Sequence, residues 1–423
     1  MSEIGQVLAF TSRLYSEKAQ ILYSGYMRRD LMARLHLRDG RANPYPIYEQ
    51  IRARGTLVPT RVNGDWMTAS HRACHSVLRS RRFGVQPSDG SDLSLLHMNP
   101  PDHTRLRRLA QPAFSPKAVA SYRARIERTV TSLLDRAAAA GEFDLVPMFA
   151  APLPIAVITD LLGVPDANAE DFARYGAAIG SALDGIKSLR HAAELQANGV
   201  KLHELFEDLF RQRRREPADD IISHLVTAGE DQVKPEEMMP VCVLLLIAGF
   251  ETTVNLISNC VLALLARPGQ WRDVCDAPQE LAPKAVEETL RYDPPVQLTD
   301  RVALEPTEVE GKAVAKGQRL ITLIAGANRD PEVYTDPGTF DIHRETGAEH
   351  LAFSSGIHYC LGQPLARLEA TIAIQMLAER MPGLAQAGPA QRRGGTVIRG
   401  PLHLPVTAGP TAPAAPHPAA NHR

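Results

Sequence analysis

Cysteine is scarce in this chain of 423 residues, and the few cysteines do not cluster. They number five, an odd count, and no C-x-x-C pair occurs, which argues against a disulfide framework and a zinc ribbon. Isolated thiols are typical of a reducing compartment, so we expect a cytoplasmic protein. The cysteines are Cys74, Cys242, Cys260, Cys275 and Cys360.

The chain also lacks an excess of charge and an unbroken apolar run. Lys and Arg number 47 against 48 Asp and Glu, so no basic surplus indicates nucleic acid as a partner. The N-terminus has no basic region followed by an unbroken apolar stretch, so we predict no signal peptide. The longest apolar run, 240–265, is interrupted by Glu251, Thr252 and further polar residues, which favours a buried central helix over a membrane span.

Helical patterns dominate what is present, and 44% hydrophobic residues can build a large core. Residues 1–42 are predicted to be a helical N-terminal extension that packs on its own domain, with docking to a membrane or partner as the alternative. Residues 43–409 are predicted to form the main domain. It should contain a hairpin that turns at Asn63-Gly64 and a terminal hairpin of 394–398 with 402–406. The Pro- and Ala-rich residues 410–423 are predicted to be disordered.

One cysteine lies in a glycine-containing loop. The stretch 353–362 reads Phe-Ser-Ser-Gly-Ile-His-Tyr-Cys-Leu-Gly and precedes a helical run. A Cys360 thiolate there would lie near a helix N-terminus, whose free amides favour negative charge and lower a thiol pKa from about 8.5. Such a loop suits a sulfur that binds one large flat cofactor. The alternative is a structural cysteine with glycines nearby by chance.

Two further stretches carry polar side chains with helical spacing. After Asn99-Pro-Pro-Asp, His103 and Arg107 are four residues apart and share a helix face, which suits two carboxylate groups of a buried ligand or, alternatively, a solvated basic face. In the central run, Ala248 and Gly249 leave room beside Glu251 and Thr252. An acid and an alcohol there can supply protons and a hydrogen bond, or they are merely tolerated polar groups in a core helix.

A third pair, Glu288 and Arg291, also lies on one helix face, although the spacing alone is common.

Six stretches together resemble the cytochrome P-450 family, in order and approximate spacing, over about 43–409. The cysteine loop resembles F-G-x-G-x-H-x-C-x-G, with Ser354 in place of a glycine, and 99–107 resembles D-P-P-x-H-T-x-x-R, with Asn99 in place of Asp. The others resemble A-G-x-[DE]-T-[TS] at 248–253, E-x-x-R at 288–291, the strand arginine at Arg301 and A-N-R-D-P at 327–331.

The resemblance implies a mainly α (α+β) fold: a single triangular domain with a long central helix over haem and small β-sheets. Glu288 and Arg291 would form a buried clamp, to which the family adds a later arginine where this chain has Thr339. Arg344, Arg329 or a backbone group could compensate for that arginine, and the sequence does not choose among them.

The resemblance further implies a monooxygenase of the soluble bacterial class. It uses haem b, O2 and electrons from NAD(P)H through ferredoxin reductase and ferredoxin, and it hydroxylates or epoxidises a lipophilic small molecule. Cys360 would be the axial ligand of the haem iron, and Glu251 and Thr252 the catalytic proton relay. Arg367 is a candidate for ferredoxin docking. The residues expected to hold the haem propionates are His103, Arg107, Arg301 and His358.

Substrate contacts are expected from the loop 83–96, the segment 394–398 and apolar side chains, namely Leu245, Ala248, Gly249, Val296 and Leu298. Two rival functions remain open. A peroxygenase of the same fold typically carries Arg-Pro where this chain has Glu251-Thr252. A non-catalytic domain that recruits a partner enzyme tends to lose the cysteine or the acid–alcohol pair, and this chain keeps both.

Overall fold

The computed structural model describes residues 3–61, 64–86, 95–229, 231–345 and 348–409. Within them the chain is mainly helical, and the strands are short, which confirms the predicted fold class. The helices are α1 Glu3–Tyr26, α2 Leu31–Leu35, α3 Arg38–Ala42, α4 Tyr45–Arg54, α5 His71–Arg79, α6 Asp102–Ala110, α7 Pro116–Ala140, α8 Pro152–Leu162, α9 Asp166–Gly180, α10 Leu189–Arg215, α11 Ile221–Thr227, α12 Pro235–Leu265, α13 Pro268–Asp276, α14 Pro278–Tyr292, α15 Ile324–Ala327 and α16 Gln363–Arg380.

Helix starts follow the local sequence. Ser115 caps α7 by accepting a hydrogen bond from the amide of Ala118, and Asp220 caps α11 by accepting one from Ser223 at 2.6 Å. Pro116 occupies the first position of α7, where its missing N–H costs no helical hydrogen bond.

The long helix α12 runs through the main hydrophobic core and packs against α8, α9, α14 and α16. Several of its buried polar side chains bond to carbonyl groups: Ser258 donates to Val254 at 2.7 Å, and Asn259 donates to Asp293 at 3.0 Å. By length and hydropathy α12 could cross a membrane, yet 72% of its apolar window is buried within the protein. The expected buried central helix is therefore observed, five residues longer at its start than the apolar run.

The largest sheet has the strand order β1-β2-β8-β5-β3, with β2 and β8 parallel and the other pairs antiparallel. Its β1–β2 hairpin is the predicted one, although Asn63 of the turn lies outside the described residues. The strands are β1 Val58–Pro59, β2 Trp66–Thr68, β3 Phe83–Gly84, β4 Glu142–Asp144, β5 Thr299–Ala303, β6 Thr307–Val309, β7 Lys312–Val314, β8 Arg319–Thr322, β9 Ala385–Gln386, β10 Gln391–Arg392, β11 Pro401–His403 and β12 Pro405–Thr407.

The terminal hairpin differs from the prediction. Strand β11 pairs with β10, and β12 pairs with β4 and β9, so 402–406 does not pair with 394–398. Instead, Val397 and Ile398 lie against the segment after α14, where the amide of Gln297 donates to the carbonyl of Val397 at 2.9 Å. The alternation in the sequence correctly indicated strand within 402–406, but 394–398 contains bends and a single bridge at Ile398 instead of a strand. It also carried no information on which strand is the partner.

The N-terminal residues divide into two parts. Leu31 and Leu35 are buried in the same cluster as Ile47 and Tyr48, so α2 packs into the main body, as predicted for the extension. Helix α1 packs one face against α2. The predicted domain boundary at 42/43 stays a prediction. The tail 410–423 and most of the loop 83–96, namely 87–94, lie outside the described residues.

Candidate active site

The cysteine loop is closed by backbone hydrogen bonds. The amide of Cys360 donates to the carbonyl of Phe353 at 2.9 Å, and that of Tyr359 donates to Gly356 at 3.0 Å. Gly356 has φ +71°, and a Cβ there would lie 2.3 Å from the carbonyl oxygen of Leu78. Both the dihedral angle and the close approach require glycine at this position.

Cys360 is the one exposed cysteine of the five, all of which are described and free. Its surroundings are nevertheless dense enough that burial raises the pKa of the thiol. The amides of Gly362 and Gln363 and the charge of Arg107 act in the opposite direction, as the sequence predicts for amides, but burial outweighs them.

Ser354, which stands where the family pattern has glycine, adopts φ +63°. Its Oγ is buried and makes no hydrogen bond within the described part of the chain. A side chain in the left-handed region costs about 1–2 kcal/mol, so the loop keeps its shape at the expense of local strain. This agrees with the strain expected from the sequence.

Four basic side chains converge beside this loop and are named here the cradle: His103, Arg107, Arg301 and His358. The two imidazole rings lie 4.3 Å apart between centroids. Helix α6 supplies His103 and Arg107, strand β5 supplies Arg301, and the cysteine loop supplies His358. Arg107 donates to the carbonyl of Tyr359 at 2.6 Å, which ties α6 to the loop.

The cradle concentrates positive charge, although Asp300 acts on Arg301 and Cys360 acts on Arg107 as nearby groups of opposite sign. Burial and the neighbouring Arg107 and Arg301 lower the pKa of His103 to about 4. Burial, Arg301, His103 and Arg107 lower that of His358 to about 3. Burial likewise lowers the pKa values of Arg107 and Arg301. Among the described residues neither guanidinium forms an ion pair with a carboxylate.

Two buried ring nitrogens in the cradle also lack partners. These are Nδ1 of His103 and Nε2 of His358, neither of which makes a hydrogen bond within the described ranges. Buried polar atoms are nearly always paired in native proteins. Two arginines and two unpaired imidazole nitrogens therefore fit a ligand that brings paired carboxylates, which is what the two propionates of haem supply.

Helix α12 presents a distinct surface at its middle. Ala248 is exposed and Thr252 is half-buried, although the neighbours Phe250, Glu251 and Thr253 are buried. Ala248 and Thr252 are four residues apart and therefore share a face. The hydroxyl of Thr252 donates to the carbonyl of Ala248 at 2.9 Å. A small molecule can bind against this face, where the hydroxyl of Thr252 is available beside it.

Glu251 points elsewhere on the same helix and is 3% exposed. Its carboxylate forms an ion pair with Arg393 at 2.9 Å. Gly180, at the end of α9, packs so closely that a Cβ there would lie 3.0 Å from Cγ of Glu251. The sequence did not identify Arg393. A buried carboxylate needs a partner, so a cation near Glu251 was predictable, but nothing in the sequence selects one arginine among many.

The Glu288–Arg291 pair is buried and fully bonded. Two parallel hydrogen bonds of 2.8 Å join the guanidinium to the carboxylate. Arg344 reaches the same carboxylate at 3.3 Å, and the carbonyl of Thr339 accepts from both arginines at 2.9 Å. Arg344 together with backbone groups thus takes the place of the arginine that the family has at position 339. Arg329 does not join this cluster: its Nε donates to the carbonyl of Tyr292.

Arg367 is less available than the docking hypothesis requires. Its guanidinium donates to both carboxylate oxygens of Glu287, at 2.6 and 3.0 Å, and lies 4.6 Å from the ring centroid of Phe353. These contacts hold α16 and the cysteine loop to α14. Docking by Arg367 remains a prediction, since its charge is already paired.

Comparison with known proteins agrees with this geometry. The family model for cytochrome P450 matches residues 278–380. A putative cytochrome P450 140 of Mycobacterium tuberculosis is 38% identical over 415 residues, which cover 91% of this chain and 94% of the relative. The chain belongs to the cytochrome P450 family. It is therefore a haem monooxygenase, an oxidoreductase that uses haem iron.

Two further cytochromes P450 are similar over most of their length. The monooxygenase PikC of Streptomyces venezuelae is 37% identical over 390 residues, 87% of this chain and 92% of PikC. The solved structure of P450BioI in complex with an acyl carrier protein bearing hexadec-9Z-enoic acid has a TM-score of 0.82 at 37% identity. It covers 87% of this chain and 98% of that one.

Proposed function

We propose that this P450 hydroxylates or epoxidises a lipophilic small molecule, with electrons from NAD(P)H delivered by a ferredoxin reductase and a ferredoxin. The observation that carries the proposal is the exposed Cys360 beside a partly buried cradle of two arginines and two histidines, whose arginines form no ion pair with a carboxylate among the described residues. A cytoplasmic location is in line with five free cysteines.

The chain's residues divide the work of holding the cofactor. Sγ of Cys360 would bind the haem iron, and His103, Arg107, Arg301 and His358 would bind the propionates. When bound, the haem supplies the activation of O2 and the insertion of oxygen. Arg301 and His103 are 5% and 3% exposed, so water competes little for their hydrogen bonds and bonds to carboxylates there are strong.

Proton supply falls to the middle of α12. The hydroxyl of Thr252 donates to Ala248, which leaves its oxygen lone pairs free to accept a further hydrogen bond on the exposed face of the helix. Glu251 is the adjacent acid, and Arg393 orients its carboxylate. We assign Glu251 to the delivery of protons and the Oγ1 of Thr252 to their transfer.

The proposed substrate surface is apolar. Leu245 lies one turn before the exposed Ala248, and the segment 397–398 is bonded to 296–297, which brings two of the expected substrate-contacting segments together. A lipophilic substrate suits such side chains. The acyl chain named for the similar P450BioI complex supports the same class.

A spectrum tests the cofactor assignment. Reduced protein with carbon monoxide is expected to show its main absorption band at about 450 nm, which is the mark of thiolate ligation. Cys360→Ala should lose that band, whereas Cys275→Ala, at another incompletely buried cysteine, should keep it. A retained band in Cys360→Ala would mean that another residue is the ligand.

Electron use tests the proton relay. Thr252→Ala is expected to bind haem normally but to divert electrons from product to peroxide. Thr253→Ala is the matched control, because its hydroxyl also bonds back along the helix, to Gly249 at 3.2 Å, but from a buried face. Equal coupling of product to NADPH in the two variants would contradict the assigned role of Thr252. Turnover with peroxide but not with NADPH and redox partners would indicate a peroxygenase instead.

A further inference from the structure

Helix α1 and the residue that follows it, Met27, carry an unusual concentration of exposed apolar side chains. Of the eleven large hydrophobic residues exposed within the described ranges, five fall in the thirteen positions from 15 to 27. Their exposed fractions run from 50% for Tyr15 to 73% for Met27. The other six are spread singly over the chain, as is normal for a protein surface. The five residues, named here the outer face, are Tyr15, Leu22, Tyr23, Tyr26 and Met27.

The outer face is a continuous stripe. Tyr15, Leu22 and Tyr26 are spaced by seven and four residues, which places them on one side of the helix. The opposite side is already in use: Leu14 and Ser24 are buried, and a Cβ on Gly25 would lie 2.9 Å from Leu37. Helix α1 is thus attached to the protein by one side and presents aromatic and aliphatic groups to the outside on the other.

The charge around this stripe is strongly basic. Residues 9–41 contain seven Arg and Lys against three Asp and Glu, a net charge of +4, whereas the whole chain has −1. Two of the cations border the outer face: Lys18 Nζ lies 5.5 Å from the ring centroid of Tyr15, and Arg28 Cζ lies 5.1 Å from that of Tyr23. Lys18 also donates to the carbonyl of Lys187, so Arg28 is the cation that reaches outward from the stripe. Among the acidic groups, Asp30 is buried, where it caps α2 and accepts a hydrogen bond from the backbone amide of Arg61.

We propose that the outer face of α1 binds the surface of an anionic lipid bilayer. Tyrosine is favoured at the level of the lipid headgroups, and long basic side chains at the border of an apolar stripe can reach anionic lipids. A net charge of +4 favours an anionic surface and opposes a second copy of this chain, because two equal basic regions would repel each other. The helix lies on the bilayer and does not cross it.

This inference is independent of haem and of the assigned reaction, so it can be tested with purified protein by sedimentation with vesicles. Wild-type protein is expected to sediment with vesicles of equal parts phosphatidylglycerol and phosphatidylcholine and to stay in solution with phosphatidylcholine alone. Salt at about 1 M, which shortens the Debye length to about 3 Å, should release it.

Two variants separate the apolar and the basic contributions. Leu22→Ser with Tyr26→Ser should weaken binding at least about tenfold, because the centre of the stripe is lost. Arg28→Gln with Arg29→Gln should weaken it about fivefold for each cation. Leu189→Ser with Leu402→Ser removes two exposed leucines elsewhere and should bind as wild type does. Circular dichroism and the carbon monoxide spectrum check that each variant is folded.

The contrary outcomes are equally definite. Equal sedimentation with neutral and anionic vesicles, or wild-type binding by the Leu22→Ser, Tyr26→Ser variant, would overturn the proposal. A dimer in sedimentation velocity without lipid, lost on the same two substitutions, would assign the outer face to a second copy of the chain instead.

Discussion

Two buried groups of basic side chains in this P450 are built on opposite rules. In the clamp, Arg291 and Arg344 both meet the carboxylate of Glu288 and the carbonyl of Thr339. In the cradle, Arg107 and Arg301 lie with two histidines and no carboxylate partner among the described residues. The clamp is complete as the chain folds, whereas we propose that the cradle is completed by an anionic ligand. We therefore expect the first to serve stability and the second to serve binding.

The clamp should therefore respond most strongly to the loss of one partner. Glu288→Ala leaves two buried guanidiniums without their carboxylate, and we expect a loss of about 3–5 kcal/mol in the free energy of unfolding. Urea unfolding measures it. Glu280→Ala on the same helix removes an exposed pair with Lys284 and should cost less than about 0.5 kcal/mol. Comparable losses in the two variants would mean that the clamp is not a buried network.

The cradle should behave in the opposite way. Arg301→Leu removes one of several like charges, so the haem-free protein should be no less stable than wild type. Haem affinity should fall about tenfold to a hundredfold, because one charge-assisted hydrogen bond is lost. Haem titration and thermal unfolding of the apoprotein measure the two effects. If the variant is less stable than wild type but keeps its haem affinity, Arg301 serves the stability of the fold, as the clamp does, and does not bind the haem.

The pH dependence sharpens the same contrast. The folded apoprotein holds the pKa of His103 at about 4, below the ordinary value near 6.5, so the unfolded chain takes up a proton more readily between these pH values. Stability of the apoprotein should therefore fall by about 2 kcal/mol from pH 7 to pH 5 through this residue. His103→Gln should flatten that slope, and bound haem should reduce it, since propionates favour the protonated imidazole. An unchanged slope in His103→Gln would contradict the electrostatic reading of the cradle.

The fold class and the composition of the cradle were predictable because both depend on short patterns. Local spacing decides which side chains share a helix face, whatever the rest of the fold. It was therefore enough to place His103 beside Arg107 and to single out the loop of Cys360. The structure indeed brings His103, Arg107, Arg301 and His358 together. Their assigned roles remain predictions until haem is bound.

What the sequence could not provide is the choice of distant partners. Arg393 meets Glu251 from 142 positions away, and Arg344 replaces the arginine missing at Thr339 from five positions further on. Several arginines were equally compatible with each carboxylate, and tertiary packing made the selection. The pairing of 397–398 with 296–297 escaped prediction for the same reason, because strand alternation does not specify a neighbour.

The smallest expected effect concerns the loop between these regions. Ser354→Gly should stabilise the protein by about 1 kcal/mol, because glycine adopts φ +63° without strain and the buried, unbonded Oγ is removed, while the freer unfolded chain offsets part of the gain. Ser355→Gly is the matched control. Because the φ of −155° at Ser355 suits any residue, glycine there should lower the free energy of unfolding by about 0.5–1 kcal/mol. Opposite shifts of the urea midpoint in the two variants would show that the loop tolerates local backbone strain at Ser354 while it holds Cys360 in position. Shifts of the same sign in both variants would contradict the hypothesis that the backbone is strained at Ser354.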